Sequence, residues 1–119
     1  MERILNEGIM KHTILLVLFV HFVADFILQS DKMAINKSTS MNWLGLHVLV
    51  YGLGLCILIP FGFSWQWVVI NTSLHFFTDA ITSRISSYLY LKGMRHWFFV
   101  CIGVDQLIHY TCLILTLGL

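Results

Sequence analysis

Residues 12–30 read HTILLVLFVHFVADFILQS, an apolar run interrupted in its second half by His21 and Asp25. A helix of about 20 residues rises roughly 30 Å, the thickness of a bilayer's hydrocarbon core. The run is apolar around its whole circumference, which suits a helix surrounded by lipid rather than one lying on a soluble core. His21 and Asp25 are four residues apart, so they share one face, a turn apart. The run therefore predicts a membrane span with a single polar stripe.

Three further stretches, 43–61, 65–84 and 97–117, have similar length and apolarity. The expectation is therefore an all-α polytopic membrane protein. It is a four-helix transmembrane bundle forming a single transmembrane domain over residues 1–119. Composition agrees: of 119 residues, 58% are hydrophobic and 11% charged, against about 25% charged in an ordinary soluble domain. A small domain buries only about two thirds of its surface, so a soluble globule would leave much of this material wet. The same numbers exclude a coiled coil and a disordered tail. Ahead of the first run, MERILNEGIMK is mixed in charge. No small-residue cleavage site follows the run, so it reads as a retained span rather than a signal peptide.

The polar connections orient the bundle. The first and third carry Lys32, Lys37, Arg84, Lys92 and Arg95, whereas the turn around Pro60 and Gly62 and the C-terminus carry no Lys or Arg. By the positive-inside rule both termini are non-cytoplasmic, in a multi-pass protein of the bacterial inner (cytoplasmic) membrane. Trp43, Trp65, Trp67 and Trp97 stand at span starts, where an aromatic belt places them. The formal net charge of +1 includes no basic block, so no nucleic acid is expected as a partner. Cys56, Cys101 and Cys112 lie within apolar runs, lack the paired spacing of a thiolate zinc site, and read as small buried hydrophobes.

Three of the four aspartates (Asp25, Asp79 and Asp105) and four histidines (His21, His47, His75 and His109) fall inside the spans. Each such group costs several kcal/mol against lipid, so they must face inward, pair, or hold an ion. His21–Asp25, His75–Asp79 and Asp105–His109 share the i,i+4 spacing. Gln29 extends the first stripe, Asn71 the third, and Tyr51 follows His47 on the second. Counted from the cytoplasmic ends, Asp25, Asp79 and His47 lie roughly 6–8 Å deep. His21, His75, Tyr51 and Asp105 lie at roughly 12–14 Å, and His109 and Asn71 near 20 Å.

Facing imidazoles and carboxylates in a bundle core are the donor set of a metal site. His21, Asp25, His75, Asp79, Asp105 and His109 are the candidate ligands, with His47 a possible seventh. The set suits one or two divalent transition-metal ions, zinc, manganese or iron. Gln29, Tyr51, Asn71 and Gln106 are candidates to orient the ligands. A bound ion would activate water, with Asp25, His47 or Asp105 as candidate catalytic groups. The substrate would be an amphiphilic phosphate or ester, its tail in the lipid bilayer. Two other readings use the same residues: a transporter or channel for protons, metal ions or small anions, and a non-catalytic accessory protein. Four spans leave little room for two gates, so transport would imply a homo-oligomer. The five loop cations read as topological anchors rather than clamps on a substrate. H-E-x-x-H and the glycine-rich phosphate loops are absent from the sequence.

The runs HFVADFILQSDKMAINK, HVLVY, NTSLHFFTD and DQLIHY carry a resemblance. Together they resemble a family of small bacterial and phage-encoded membrane proteins known only as a domain of unknown function. The resemblance covers about residues 14–115. Its pattern falls on His21, Asp25, Phe26, Gln29, Lys37, His47, His75, Asp79, Asp105, Gln106 and His109. A basic residue that often follows the third element's aspartate is matched only approximately, by Arg84. The His/Asp-rich spans are also similar in style to those of membrane-bound metal-dependent hydrolases. The resemblance implies a membrane bundle but no established reaction.

Overall fold

The computed structural model describes residues 1–119, and its regular structure is entirely helical. Helix α1 (Glu2–Phe22) continues into a π-helical turn (Val23–Ile27). The short α2 (Asp31–Asn36) follows, then α3 (Met41–Leu55), which tightens into a 3-10 segment (Cys56–Phe61), and finally α4 (Trp65–Leu91) and α5 (Arg95–Leu115). The starts of α2, α3 and α4 are set by serine. Ser30, Ser40 and Ser64 accept hydrogen bonds from the backbone N–H of Met33, Trp43 and Trp67, each satisfying one orphan donor of a first helical turn. Between α3 and α4, Pro60 closes the 3-10 segment and Gly62 turns the chain at φ 101°, a left-handed conformation that favours glycine.

The long helices alternate in direction. His47 meets His75 while Met41 meets Arg84, so α3 and α4 are antiparallel. His109 meets Asp79 while Thr116 meets Asn71, and the same holds for α4 and α5. His21 of α1 and Asp25 of the π-helical turn both reach Gln106 of α5, which closes the bundle. Two glycines let backbones approach. A Cβ on Gly54 would sit 2.7 Å from the Ala24 Cβ, and one on Gly52 would sit 2.9 Å from the Thr72 hydroxyl. Small residues at such crossings are how membrane helices gain packing where lipid supplies no hydrophobic drive.

The burial pattern is the reverse of a soluble protein's. Of 119 residues 22 are buried, and eight of those are polar or charged: His21, Asp25, His47, Asn71, His75, Asp79, Ser83 and His109. Large apolar side chains such as Leu15, Phe19, Leu53, Phe77 and Leu107 lie on the outside. Val17, Val20, Tyr51, Leu55, Leu58, Trp67, Val68 and Leu113 pack into a plug, on the side of the polar centre nearer the two termini. A bundle that is apolar outside and ionisable inside is a multi-pass membrane protein.

The expected four spans become three by length and apolarity: Glu2–Ile27, Met41–Phe61 and Arg95–Leu115. Helix α4 is the longest, 27 residues. Asn71, Thr72, Ser73, His75, Thr78, Asp79, Thr82 and Ser83 lower its mean apolarity, and several of them line the centre. It also runs seven residues beyond the expected end at 84, so the α4–α5 hairpin protrudes and the molecule is 55 Å long. Helix α1 starts earlier than expected, at Glu2, with Arg3 and Glu7 paired one turn apart on its exposed surface.

Candidate metal centre

Each long helix delivers part of the centre. On α1 the π-helical turn carries Asp25, with the Leu28 N–H reaching the Val23 carbonyl. Such turns recur at functional sites, where the extra residue re-aims a side chain. The two Asp25 oxygens point different ways. Oδ1 lies 3.2 Å from His47 Nε2 and 3.6 Å from His75 Nε2, while Oδ2 accepts from the Gln106 amide at 3.0 Å. Asp79 on α4 divides in the same manner. Its Oδ2 is 3.2 Å from His47 Nε2, 3.7 Å from His75 Nε2 and 2.9 Å from Lys37 Nζ, and its Oδ1 is 3.1 Å from His109 Nε2. His47 and His75 bring their Nε2 atoms to 3.0 Å.

Four ligand atoms, from Asp25, His47, His75 and Asp79, thus surround one point, all buried and within 4.8 Å of one another. Ligands about 2.0–2.1 Å from a tetrahedral zinc ion lie roughly 3.3 Å apart. Here five of the six separations run from 3.0 to 3.7 Å. A buried His/Asp cluster capable of coordinating a metal ion is therefore present. Asp25, Asp105 and His109 form a second group beside it, with Asp105 Oδ2 3.2 Å from His109 Nε2.

Surrounding side chains fix the rings. Tyr51 stacks on His75 at 3.8 Å between ring centres, and His109 stacks on the other side at 4.2 Å. The Tyr51 hydroxyl is 2.8 Å from His21 Nδ1, and His21 Nε2 is 3.0 Å from Gln106 Oε1. With Nε2–H donating to the amide oxygen, Nδ1 accepts from the tyrosine. Gln106 also donates to Asp25 and Asp105, and the Thr82 hydroxyl donates to Asp105 Oδ1. The Nδ1 atoms of His47 and His75 have no partner, so both rings turn a single nitrogen, Nε2, to the cluster.

The residues singled out in the sequence distribute unevenly. Asp25, His75 and Asp79, with His47, make the four-atom group, and Asp105 and His109 belong to the second. His21 stands outside both, with both ring nitrogens engaged by Tyr51 and Gln106. Asn71 lies a turn away from the centre, bonded to Thr116 and the Trp67 carbonyl, and makes no hydrogen bond to an imidazole. Gln29 lines a cavity, its Oε1 buried and unpartnered. His109, expected deeper than His75 and Asp79, meets both: its Nε2 is 3.1 Å from Asp79 Oδ1 and its ring stacks on His75. Lys37 is the residue that sequence reasoning assigned elsewhere. Read as a loop anchor, it enters the core as the direct partner of Asp79; its place in the resemblance pattern was the one signal. The other cations stay outside: Arg84 caps the Ala80 carbonyl, Lys92 lies over Tyr88 and Arg95 over Phe99.

A cavity of about 250 Å³ opens beside the second group, on the side of Lys37 and away from the apolar plug. Asp25, Asp105 and Gln106 line it together with Lys37, Ser83, Phe26 and Phe98. The Ser83 hydroxyl is 7% exposed as a residue and has no partner. No curated protein and no solved structure matches the chain. The family described as "Protein of unknown function (DUF3307)" matches residues 13–118. With nearly its whole length and its buried His/Asp helices inside that match, the chain belongs to the DUF3307 family of small membrane proteins of unknown function.

Proposed function

We propose that this protein is a membrane-embedded, metal-dependent hydrolase acting on an amphiphilic phosphate or carboxylic ester at the cytoplasmic side of a bacterial inner membrane. The observation that carries the reading is the four-atom group of Asp25, His47, His75 and Asp79 beside a cavity of about 250 Å³. Zinc, manganese and iron all accept imidazole nitrogen with carboxylate oxygen. When bound, such an ion lowers the pKa of water and polarises a phosphoryl or acyl oxygen.

The remaining work falls to the chain's own residues. Asp105 faces the cavity without belonging to the four-atom group. It is placed to take the proton of the attacking water and return it to the departing alcohol. Water thus adds across the P–O or acyl C–O bond, giving an acid and an alcohol. Phe26, Phe98 and Ile102 offer an apolar wall to a tail, and Ser83 and Lys37 offer donors to a head group.

The apolar plug supports hydrolysis over conduction. A transported ion would have to pass Tyr51, Leu55, Leu58, Trp67 and Leu113, which are buried at 1% exposure or less. Four crossings are favoured because α4 runs alongside α3 and α5 over their full length. The loop cations then gather at the cavity end, which by the positive-inside rule is cytoplasmic. The test is hydrolysis of chromogenic phosphate and carboxylic esters by detergent-purified protein supplied with zinc, manganese or iron(II). Metal-dependent turnover that Asp105→Asn lowers at least 100-fold supports the reading; metal binding without turnover on any ester class contradicts it.

A further inference from the structure

Asp25 and Asp79 each have two oxygens, and in both residues the two oxygens face different groups. Asp25 Oδ1 and Asp79 Oδ2 face His47 and His75. Asp79 Oδ1 faces His109 at 3.1 Å, and His109 is 3.2 Å from Asp105 Oδ2. Asp25 Oδ2 is held by Gln106, the same amide that donates to Asp105 Oδ2. Asp79 thus has imidazoles facing both of its oxygens, and Asp25 belongs to both clusters, which is the placement of bridging carboxylates.

We propose that the centre is dinuclear, with a second divalent ion held by Asp105, His109 and Asp25 and bridged to the first through Asp25 and Asp79. Its donors include imidazole nitrogen and form a compact, mostly buried set. Paired ions about 3.5–4 Å apart are a recurring arrangement in enzymes that hydrolyse phosphate esters. Asp105 would ligate through Oδ2, leaving Oδ1, which Thr82 holds at the cavity side, as the proton acceptor. Charge points to the same class of substrate. One divalent ion with Lys37 neutralises the three carboxylates. A second gives the centre a surplus of two positive charges, which matches the dianion of a phosphate monoester better than a neutral ester.

The inference rests on the metal reading above, and manganese separates the two. The full-length protein in detergent is saturated with Mn²⁺, desalted, and measured for metal content and electron paramagnetic resonance. Two ions per chain with an exchange-coupled spectrum are expected. His109→Gln and Asp105→Asn should each hold one ion and show the hyperfine pattern of an isolated centre. One ion per wild-type chain, or two magnetically isolated ions, overturns the dinuclear centre while leaving the metal reading intact; no bound ion overturns both. The wild-type stoichiometry and spectrum together decide the question should either variant fail to fold.

Discussion

Lys37 and Asp79 show how much a single side chain carries in this core. The ammonium lies 2.9 Å from a carboxylate oxygen that also faces two imidazoles, in a residue only 1% exposed. Breaking a buried pair by removing one partner costs about 3–5 kcal/mol. The same ammonium would compete with a bound metal ion for Asp79 and repel it. Lys37→Met is therefore expected to lower the melting temperature of metal-free protein and to tighten metal binding at least tenfold, about 1.4 kcal/mol. Thermal unfolding with and without zinc in one detergent checks both signs. His21 and His47 make a second contrast, since both are fully buried histidines and only His47 belongs to the four-atom group. His47→Ala should abolish high-affinity binding. His21→Ala should retain the ion with affinity reduced roughly 10–100-fold, the usual effect of removing a group that supports the ligands. Isothermal titration of both variants tells the two roles apart.

At the scale of elements, the approach of α1 to α3 depends on Gly54. A methyl group there would meet the Ala24 Cβ at 2.7 Å and its Cα at 3.4 Å, so Gly54→Ala should destabilise by about 1–3 kcal/mol. Gly45→Ala, with nothing within 4 Å, should be neutral or stabilising, because alanine is the better helix former. A pair of detergent melts compares them. The glycines were visible in the sequence as small residues suited to close helix approach, but which neighbour each would meet was not. The same division runs through the centre. Spacing of four put His75 with Asp79 and Asp105 with His109 on shared faces, because helical geometry alone fixes those relations. Which ring nitrogen points where depends on neighbouring helices. Hence Tyr51 and Gln106 engage both nitrogens of His21, and His47, read as a possible seventh ligand, joins the four-atom group. The π-helical turn at Asp25 has no local breaker to announce it, and the length of α4 was hidden by Arg84, whose charge looked like an end.

The whole molecule places its five loop cations and its apolar plug at opposite sides of the polar centre, while Glu2, Arg3, Glu7 and Lys11 at the start of α1 balance one another. If α4 crosses the membrane with its neighbours, both termini share one side. Cysteines introduced near residues 2 and 118, in a background lacking Cys56, Cys101 and Cys112, should both be labelled by an impermeant reagent from outside the cell, and one at residue 92 should be protected. Termini on opposite faces would mean that only the three most apolar helices cross. Acid should release metal, because every ligand must be deprotonated to bind; dialysis at falling pH with metal analysis follows it.

The proposed hydrolase requires these buried carboxylates and imidazoles to hold a cation. Protein purified in detergent without chelator, then equilibrated with excess zinc, manganese or iron(II) and desalted, is the direct measurement. At least one tightly bound ion per chain, lost in Asp79→Asn and His47→Ala, is the predicted result. Folded wild-type protein that retains none of the three metals would contradict it.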